Sequence, residues 1–342
     1  MQYDLKVRDL TAQGIRQTAL HEQAVAEASK RFGRRVFVRG VVEVSNFCRE
    51  NCHYCGMRRD NRTLARARAQ HDKLAELLVH HRPEVITDVA IQSGEDPIAA
   101  REVVLPLVRT LHRQTNLGIS VCLGTHDAEI YEEIQAAGAS IYIMKFETAD
   151  AGRYDQLAAP GSLAKRLAHI RRLAASGWRV SSGFIEGLPG EGVPELMENC
   201  RLARELPLHG CSVSPFVPGK QTPLAGAVPG GVETTLNCMA ILRLMRPDWV
   251  IPAVSALNLA QPGSGYRRGL RAGANLVTIN LTPRDLQREY LIYDRDRCIM
   301  DEERVMTAVA AEQLEPSTQS QVEFFSNGSV HQEGEEVTVD NR

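Results

Sequence analysis

Cys48, Cys52 and Cys55 stand in the run SNFCRENCHYCG, with C-x3-C-x2-C spacing and Tyr54 just before the third cysteine. Three thiolates hold three irons of a four-iron cluster and leave the fourth iron open. An open iron can bind and activate a ligand, so the spacing points to chemistry rather than to a structural staple. A structural zinc site takes four closed ligands, usually as two C-x2-C pairs, and only Cys52 and Cys55 form such a pair. His53 is the zinc ligand nearest to hand, between two cysteines on a tight loop. Disulfides fit less well. Eight cysteines in 342 residues make no disulfide scaffold, and the opening run MQYDLKVRDL lacks the apolar core of a secretory signal.

Hydrophobic residues form 43% of the chain and charged residues 24%, enough for a sizeable core in one large domain or two ordinary ones. The formal net charge of -2 gives no global reason to expect nucleic acid as a partner. No run reaches the roughly eighteen apolar residues of a membrane span, so no membrane partner is expected. A reducing cytoplasm suits these thiols and an oxygen-labile cluster.

Apolar strand-like runs lie at 41–44, 88–91, 118–122, 140–144, 179–184, 211–214, 249–254 and 275–279. Helical periodicity fills the intervals, as at 63–81, 99–114, 128–137 and 162–176, and several of these stretches close on Gly138, Gly177 or Gly273. Alternation of this kind predicts an α/β fold with a parallel sheet covered by helices. Eight units suit a closed (β/α)8 barrel, with an open doubly wound sheet as the other arrangement. The organisation expected is an N-terminal helical extension over 1–35, with a helix at 9–31. The barrel follows over 36–312, and a peripheral or flexible tail, rich in Gln, Ser, Glu and Gly, over 313–342. Barrel chemistry sits at the C-terminal strand ends. The three cysteines follow the first strand directly and so fall on that face.

Other strand ends carry candidates too. QSGEDP follows the second strand, where glycine exposes backbone and Glu95 can take an ammonium; an acidic N-cap on an ordinary turn reads the same residues. KFETAD follows the fourth, with Glu147 a candidate site carboxylate and Asp150 a helix cap. SGFIEGLPGE follows the fifth, with glycines that permit close approach to a flat ligand but no G-x-G-x-x-G fingerprint.

Taken in order, these motifs resemble the radical S-adenosylmethionine (radical SAM) superfamily over roughly residues 41–293. In that family the open iron chelates S-adenosylmethionine, and one electron from the [4Fe-4S] cluster cleaves it to a 5′-deoxyadenosyl radical that abstracts a substrate hydrogen. The resemblance implies that Cys48, Cys52 and Cys55 hold the cluster. It implies that the Tyr54 backbone faces adenine, that Ser93, Gly94 and Glu95 meet the methionine amino group, and that Glu147 meets the ribose or amino group. Arg166 would pair with the methionine carboxylate, and Ile185 would touch adenine. A flavodoxin or ferredoxin electron donor is implied as well.

Within the superfamily the runs SNFCRENCHYCGMRRDN, QSGEDP, FETAD, SGFIEGLPGE, PFVPGKQTPL and GANLVTINLTP look like the biotin-synthase-like group. They look most like its [FeFe]-hydrogenase maturase and 3-methylornithine synthase branches. Biotin synthase itself fits poorly. Cys122 falls at one ligand place of its second cluster, but Ser181 stands where another cysteine belongs. Cys122 therefore reads as a core thiol. The chain also departs from the maturase pattern, with Lys145-Phe146 where that branch has Arg-His and Val254-Ser255 where it has Thr-Thr.

Inward strand-top positions give the expected substrate set: Gln92, Ser120, Lys145, Ser214, Ser255 and Thr278, polar with one cation. Lys145 and Glu147 are the candidate catalytic side chains. The expected substrate is a small amino-acid-like molecule or a metal complex, and a partner protein could present it. Arg267, Arg268 and Arg271 read as a solvated helix start, and Tyr290 and Tyr293 as residues that close the barrel bottom or cover the site. Two rival functions remain open. One is sulfur insertion, which would draw a second cluster from Cys200, Cys211, Cys238 or Cys298. The other is a non-enzymatic iron–sulfur carrier.

Overall fold

Strand β1 (Arg35–Ser45) is buried along nearly its whole length, on both faces, as a strand of a helix-covered parallel sheet must be. The structure, a computed structural model, describes residues 3–292 and 299–330. From β1 the sheet runs in one direction through β2 (Asp88–Ser93), β3 (Gly118–Cys122), β4 (Ile141–Ile143), β5 (Arg179–Glu186) and β6 (Gly210–Pro215). On the other side of β1 lies β7 (Leu276–Asn280), and every one of these pairings is parallel.

The ring closes through residues 249–253. Val250 bridges Gly210 and Pro252 bridges Leu276, with Val250 N donating to His209 O at 3.0 Å and Ala253 N to Leu276 O at 2.8 Å. The strand expected at 249–254 thus takes its place in the barrel only as two bridges, because Pro252 has no N–H to extend a ladder. The eight-position α/β barrel is as anticipated.

Helices α1 (Gly14–Phe32), α2 (His71–His80), α3 (Leu105–Gln114), α4 (Ala128–Ala136), α5 (Leu163–Ala175), α6 (Val193–Glu205) and α7 (Val232–Met245) cover it. Ser162 caps α5, its hydroxyl accepting from Lys165 N at 3.4 Å. Asp150 caps the short helix Ala151–Gln156, accepting from Arg153 N at 2.6 Å. The helix expected over 9–31 is split. Gly14 takes a φ of 55° and separates Val7–Leu10 from α1. The helix expected over 63–81 forms only from His71. Before it, Arg68 bridges Ser45 and Ala67 N donates to Asn46 Oδ1 at 2.7 Å, so tertiary bonds outcompete helical ones. No helix among the described residues is long and apolar enough to cross a membrane.

The tail expected to be peripheral is, over 315–327, the barrel floor. Strand β8 (Glu315–Pro316) pairs parallel with the start of β1, and helix α8 (Gln321–Val330) follows. Gln321 N donates to both oxygens of buried Asp88, at 3.0 and 3.1 Å. The Phe324 ring packs against Phe32 at 5.0 Å and Phe37 at 5.7 Å. Two adjacent phenylalanines within a polar stretch supply the apolar contact that holds the segment down. Residues 331–342 lie outside the described residues.

Two outcomes are expected here. Phe324→Ala should lower the unfolding free energy by about 2 kcal/mol, a partly buried aromatic truncation, seen as a lower denaturant midpoint at constant slope. An unchanged midpoint would contradict the floor's structural role. Burial pushes the Asp88 carboxyl up to about 7, against opposing hydrogen bonds from Thr87 and Gln321. A raised carboxyl favours the protonated folded form. Its contribution is complete below the unfolded value of 3.8 and is lost as pH rises to about 7. Asp88→Asn should therefore gain stability relative to the parent chain across that window and run parallel to it above. Parallel curves throughout would refute the shift.

Candidate active site

The C-terminal end of β1 hands the chain to the cysteine loop, and polar side chains fix that loop from outside. Asn46 Nδ2 donates to Ala65 O at 2.7 Å and Glu289 O at 2.8 Å. Asn61 Nδ2 donates to Gly56 O at 2.7 Å. Arg66 donates to Met57 O at 2.9 Å and Arg58 O at 2.7 Å. The Arg68 guanidinium lies 4.0 Å from the Phe47 ring centroid and binds Asp96 at 2.7 and 3.1 Å. Gly94, at the end of β2, presses against the loop so closely that a Cβ there would overlap Phe47 O and sit 2.9 Å from Cys48 Cβ.

Cys52 is buried, and Cys48 and Cys55 are half-buried. Burial pushes all three thiols up, Cys55 to about 12 and Cys52 well above its ordinary range; neighbouring sulfurs add to the rise at Cys52 and Cys55, and the Glu95 and Glu50 charges at Cys48. Three thiolates crowded in apolar surroundings need a cation to become stable. Glu95 N donates to Cys48 Sγ at 3.3 Å, the N–H to sulfur bond that supports a metal-bound thiolate. Among the described residues no three His, Cys, Asp or Glu side chains converge as the ligands of a single ion do. A cluster puts each cysteine on its own iron and needs no such convergence, so the loop fits a cluster.

Glu95 sits beside the sulfurs, 5% exposed. Its Oε1 accepts from Thr125 N and lies 3.8 Å from Arg166 Nη1, and its Oε2 lies 3.6 Å from Arg49 Nε. Burial works to raise Glu95, but its contact with Glu50 and the Arg166 charge carry it below the usual carboxylate value. Glu50 moves the other way: burial and the facing Glu95 push it up to about 7. Arg166, at the start of α5, also donates from Nε to Lys145 O at 2.9 Å and from Nη1 to Thr125 Oγ1 at 2.8 Å. The Ser93 hydroxyl donates to Gly94 O at 2.6 Å.

Glu147 follows β4 with a φ of 65°, left-handed backbone in a non-glycine residue. The conformation costs on the order of 1–3 kcal/mol and marks residues that neighbours hold in place for function. Here Glu147 N donates to Gly183 O at 3.1 Å and Ile185 N to Glu147 O at 2.9 Å, so β5 holds the strain. Ile185 is buried at the end of β5, and Tyr54 packs half-buried against the core. The seven expected cofactor contacts therefore gather on one rim, at the ends of β1, β2, β4 and β5.

A cavity of about 200 Å³ occupies the barrel interior. Gln92, Lys145, Ser214, Ser255 and Thr278 line it as expected. Ser120 does not; its hydroxyl is spent on Val89 O at 3.0 Å. Lys145 Nζ donates to Ser214 Oγ at 3.2 Å. Among the lining residues that no sequence motif marked are Arg39, Glu43 and Asn280. Gln92 and Asn280 both donate to Glu43 Oε1, at 3.3 and 3.4 Å. The period-two alternation Arg39, Val41, Glu43 along β1 was the available signal.

The remaining cysteines separate clearly. Cys122 lines the cavity, whereas Cys200, Cys211 and Cys238 are fully buried in the hydrophobic core and do not line it. Arg267 and Arg271 pair with Glu312, and Arg268 with Glu233, as solvated helix charges do. Tyr290 is buried with Met57 and Leu64 beside the cysteine loop, which places it over the site rather than at the barrel bottom. Tyr293 and Cys298 lie outside the described residues.

The model of the Radical SAM superfamily matches residues 42–205. Over 288 residues the chain is 32% identical to the "[FeFe] hydrogenase maturase subunit HydE" of Thermotoga maritima, covering 83% of this chain and 81% of that protein. The chain belongs to the radical SAM superfamily. It is also 26% identical to the 3-methylornithine synthase of Methanosarcina acetivorans, over 85% of this chain and 83% of that one. The crystal structure of methylornithine synthase (PylB) superposes with a TM-score of 0.83 at 25% identity, over 95% of this chain and 97% of that one. Radical SAM proteins use a [4Fe-4S] cluster and S-adenosylmethionine, and the protein is an enzyme of that kind.

Gly94→Ala tests the packing of this rim. Its methyl would force β2 away from the cysteine loop, so the purified variant should hold markedly less iron and sulfide than the parent. Equal iron would show that the close approach is not needed to hold a cluster.

Proposed function

We propose that Cys48, Cys52 and Cys55 hold the cluster and that Glu95, Glu147 and Arg166 receive the polar end of S-adenosylmethionine. Ser93 and Gly94 offer backbone beside them, and Tyr54 and Ile185 offer the adenine its contacts. The observation that carries this reading is the convergence, at one end of a barrel with an internal cavity, of the cysteine loop, the Glu95–Arg166 pair and strained Glu147. When bound, the cluster supplies the electron that cleaves S-adenosylmethionine to the radical used for hydrogen abstraction.

The chain's own residues supply binding and orientation. Arg166 is fixed through Lys145 O and Thr125 Oγ1, so its charge faces the rim without a search through rotamers. Glu95 keeps its charge through Arg166 and can take an ammonium. Lys145, anchored on Ser214, offers the cavity a cation for an anionic group. Gln92, Ser255 and Thr278 add hydrogen bonds. That lining fits a small amino-acid-like molecule or an amino-acid-bound metal complex. The two relatives, a hydrogenase maturase subunit and a methylornithine synthase, bracket the same range. A low-potential flavodoxin or ferredoxin would supply electrons, a partner protein could bring the substrate, and the reducing cytoplasm would protect the cluster.

Sulfur insertion is not favoured, because Cys200, Cys211 and Cys238 do not line the cavity and Cys122 alone cannot hold a second cluster there. A simple electron carrier has no use for the strained carboxylate and internal cavity.

The test is anaerobic reconstitution, reduction and addition of S-adenosylmethionine. The expected result is 5′-deoxyadenosine with about four irons per chain, the content of a single four-iron cluster. An intact, reduced cluster that yields none, with or without candidate amino acids, would refute the reading. Cys52→Ala should lose iron, sulfide and cleavage together while its circular dichroism stays that of the parent; a variant with full iron would overturn the ligand assignment.

A further inference from the structure

We propose that the arginine-bearing turn over the cysteine loop, centred on Arg59 and Arg62, is the docking surface for a small acidic protein that delivers single electrons. The proposal rests on the cluster assignment above and names the face through which that site is reduced.

The chain as a whole carries a formal charge of -2, yet the segment 49–62 holds four arginines and only two acids, Glu50 and Asp60. The turn that carries Arg58 and Arg59 packs against the cysteine loop, with Arg58 N donating to Cys55 O at 3.1 Å. Arg59 N donates to Glu50 O at 2.8 Å, and Arg59 Nη1 reaches Arg49 O at 3.4 Å. Asn51 Nδ2 donates to Asp60 Oδ2 at 2.8 Å, and Asp60 N to Asn51 Oδ1 at 3.2 Å. The 58–61 turn is thus laid against the stretch that joins Cys48 to Cys52, and Cys48 and Cys55 are themselves half-buried.

The arginines of this region divide by use. Arg66 and Arg68 are spent on backbone carbonyls and on Asp96, and they build the loop. The outer ones face water: the Arg59 side chain is 62% exposed, and Arg62 is exposed too. The Arg59–Asp60 pair, at 3.3 Å on the surface, adds little to stability. Exposed charge that adds little to stability, carried on a turn beside the cysteine loop, acts at a distance. It raises the encounter rate of an oppositely charged partner and fixes its orientation. A protein carrier must bring its own redox centre close to the cluster, and this turn is exposed surface bonded to the cysteine loop itself.

The experiment uses the reconstituted holoprotein and its Arg59→Glu/Arg62→Glu variant, with an acidic flavodoxin as the probe and dithionite as the control reductant. Cluster reduction is followed by absorbance and flavodoxin binding by calorimetry, neither of which needs S-adenosylmethionine. Reduction by flavodoxin at low ionic strength should slow at least about tenfold in the variant, the scale of electrostatic steering. Its salt dependence should flatten and binding should weaken in step. Iron content and reduction by dithionite should match the parent, and Arg59→Lys/Arg62→Lys should behave as the parent. Unchanged flavodoxin kinetics and affinity would overturn the proposal, as would parallel loss of iron or of dithionite reduction, which would make the arginines structural. A parent cluster that flavodoxin reduces through these arginines, but that never cleaves S-adenosylmethionine, would sink the radical reading and leave the docking surface standing.

Discussion

The buried carboxylate of Glu95 ties the site together. Its backbone N–H meets Cys48 Sγ, its carbonyl accepts from Arg49 N, and its side chain meets Thr125 N and faces the Arg166 guanidinium. One residue therefore couples the cysteine loop, the turn after β3 and the start of α5. A carboxylate so deeply buried is tolerated only when it is compensated by charge and hydrogen bonds. Removing any partner would leave a buried charge unpaired, so the rim must assemble as a unit. Gly94 supplies the space for this, since any side chain there would strike the cysteine loop.

The barrel exists to bring these distant segments to one height. Parallel strands present their C-terminal ends together, and residues from 48 to 185 meet there although they are far apart in sequence. Beneath them lies a cavity lined by apolar side chains and a set of polar ones, and the floor is closed by the chain's own later segment through Gln321 and the Phe324 cluster. The cavity thus lies between that floor and the strand ends that carry the cysteines, with Lys145 and Gln92 lining it close to the rim.

Much of this was legible in the sequence. Ligand spacing is a local property, so the cysteine loop could be read directly. Strands buried on both faces appear as unbroken apolar runs, so the barrel could be counted. The resemblance of the strand-end motifs supplied the cofactor contacts that local physics alone does not assign. What escaped was set by tertiary bonds. Asn46 and Arg66 hold residues 61–69 out of a helix that their periodicity favoured. Phe324 and Phe325 anchor a segment whose composition reads as tail. Ser120 points inward but spends its hydroxyl on a neighbouring strand, whereas Arg39 and Glu43 face the cavity from within an apolar run. Only the pairing register distinguishes such positions.

The central claim is that the cysteine triad leaves one iron open to the polar end of S-adenosylmethionine. The most direct measurement is electron–nuclear double resonance on the reduced, reconstituted protein mixed with S-adenosylmethionine carrying nitrogen-15 at its amino group. Hyperfine coupling of that nitrogen to the cluster is the predicted result. A spectrum indifferent to the label, from a cluster shown to be reduced, would contradict it.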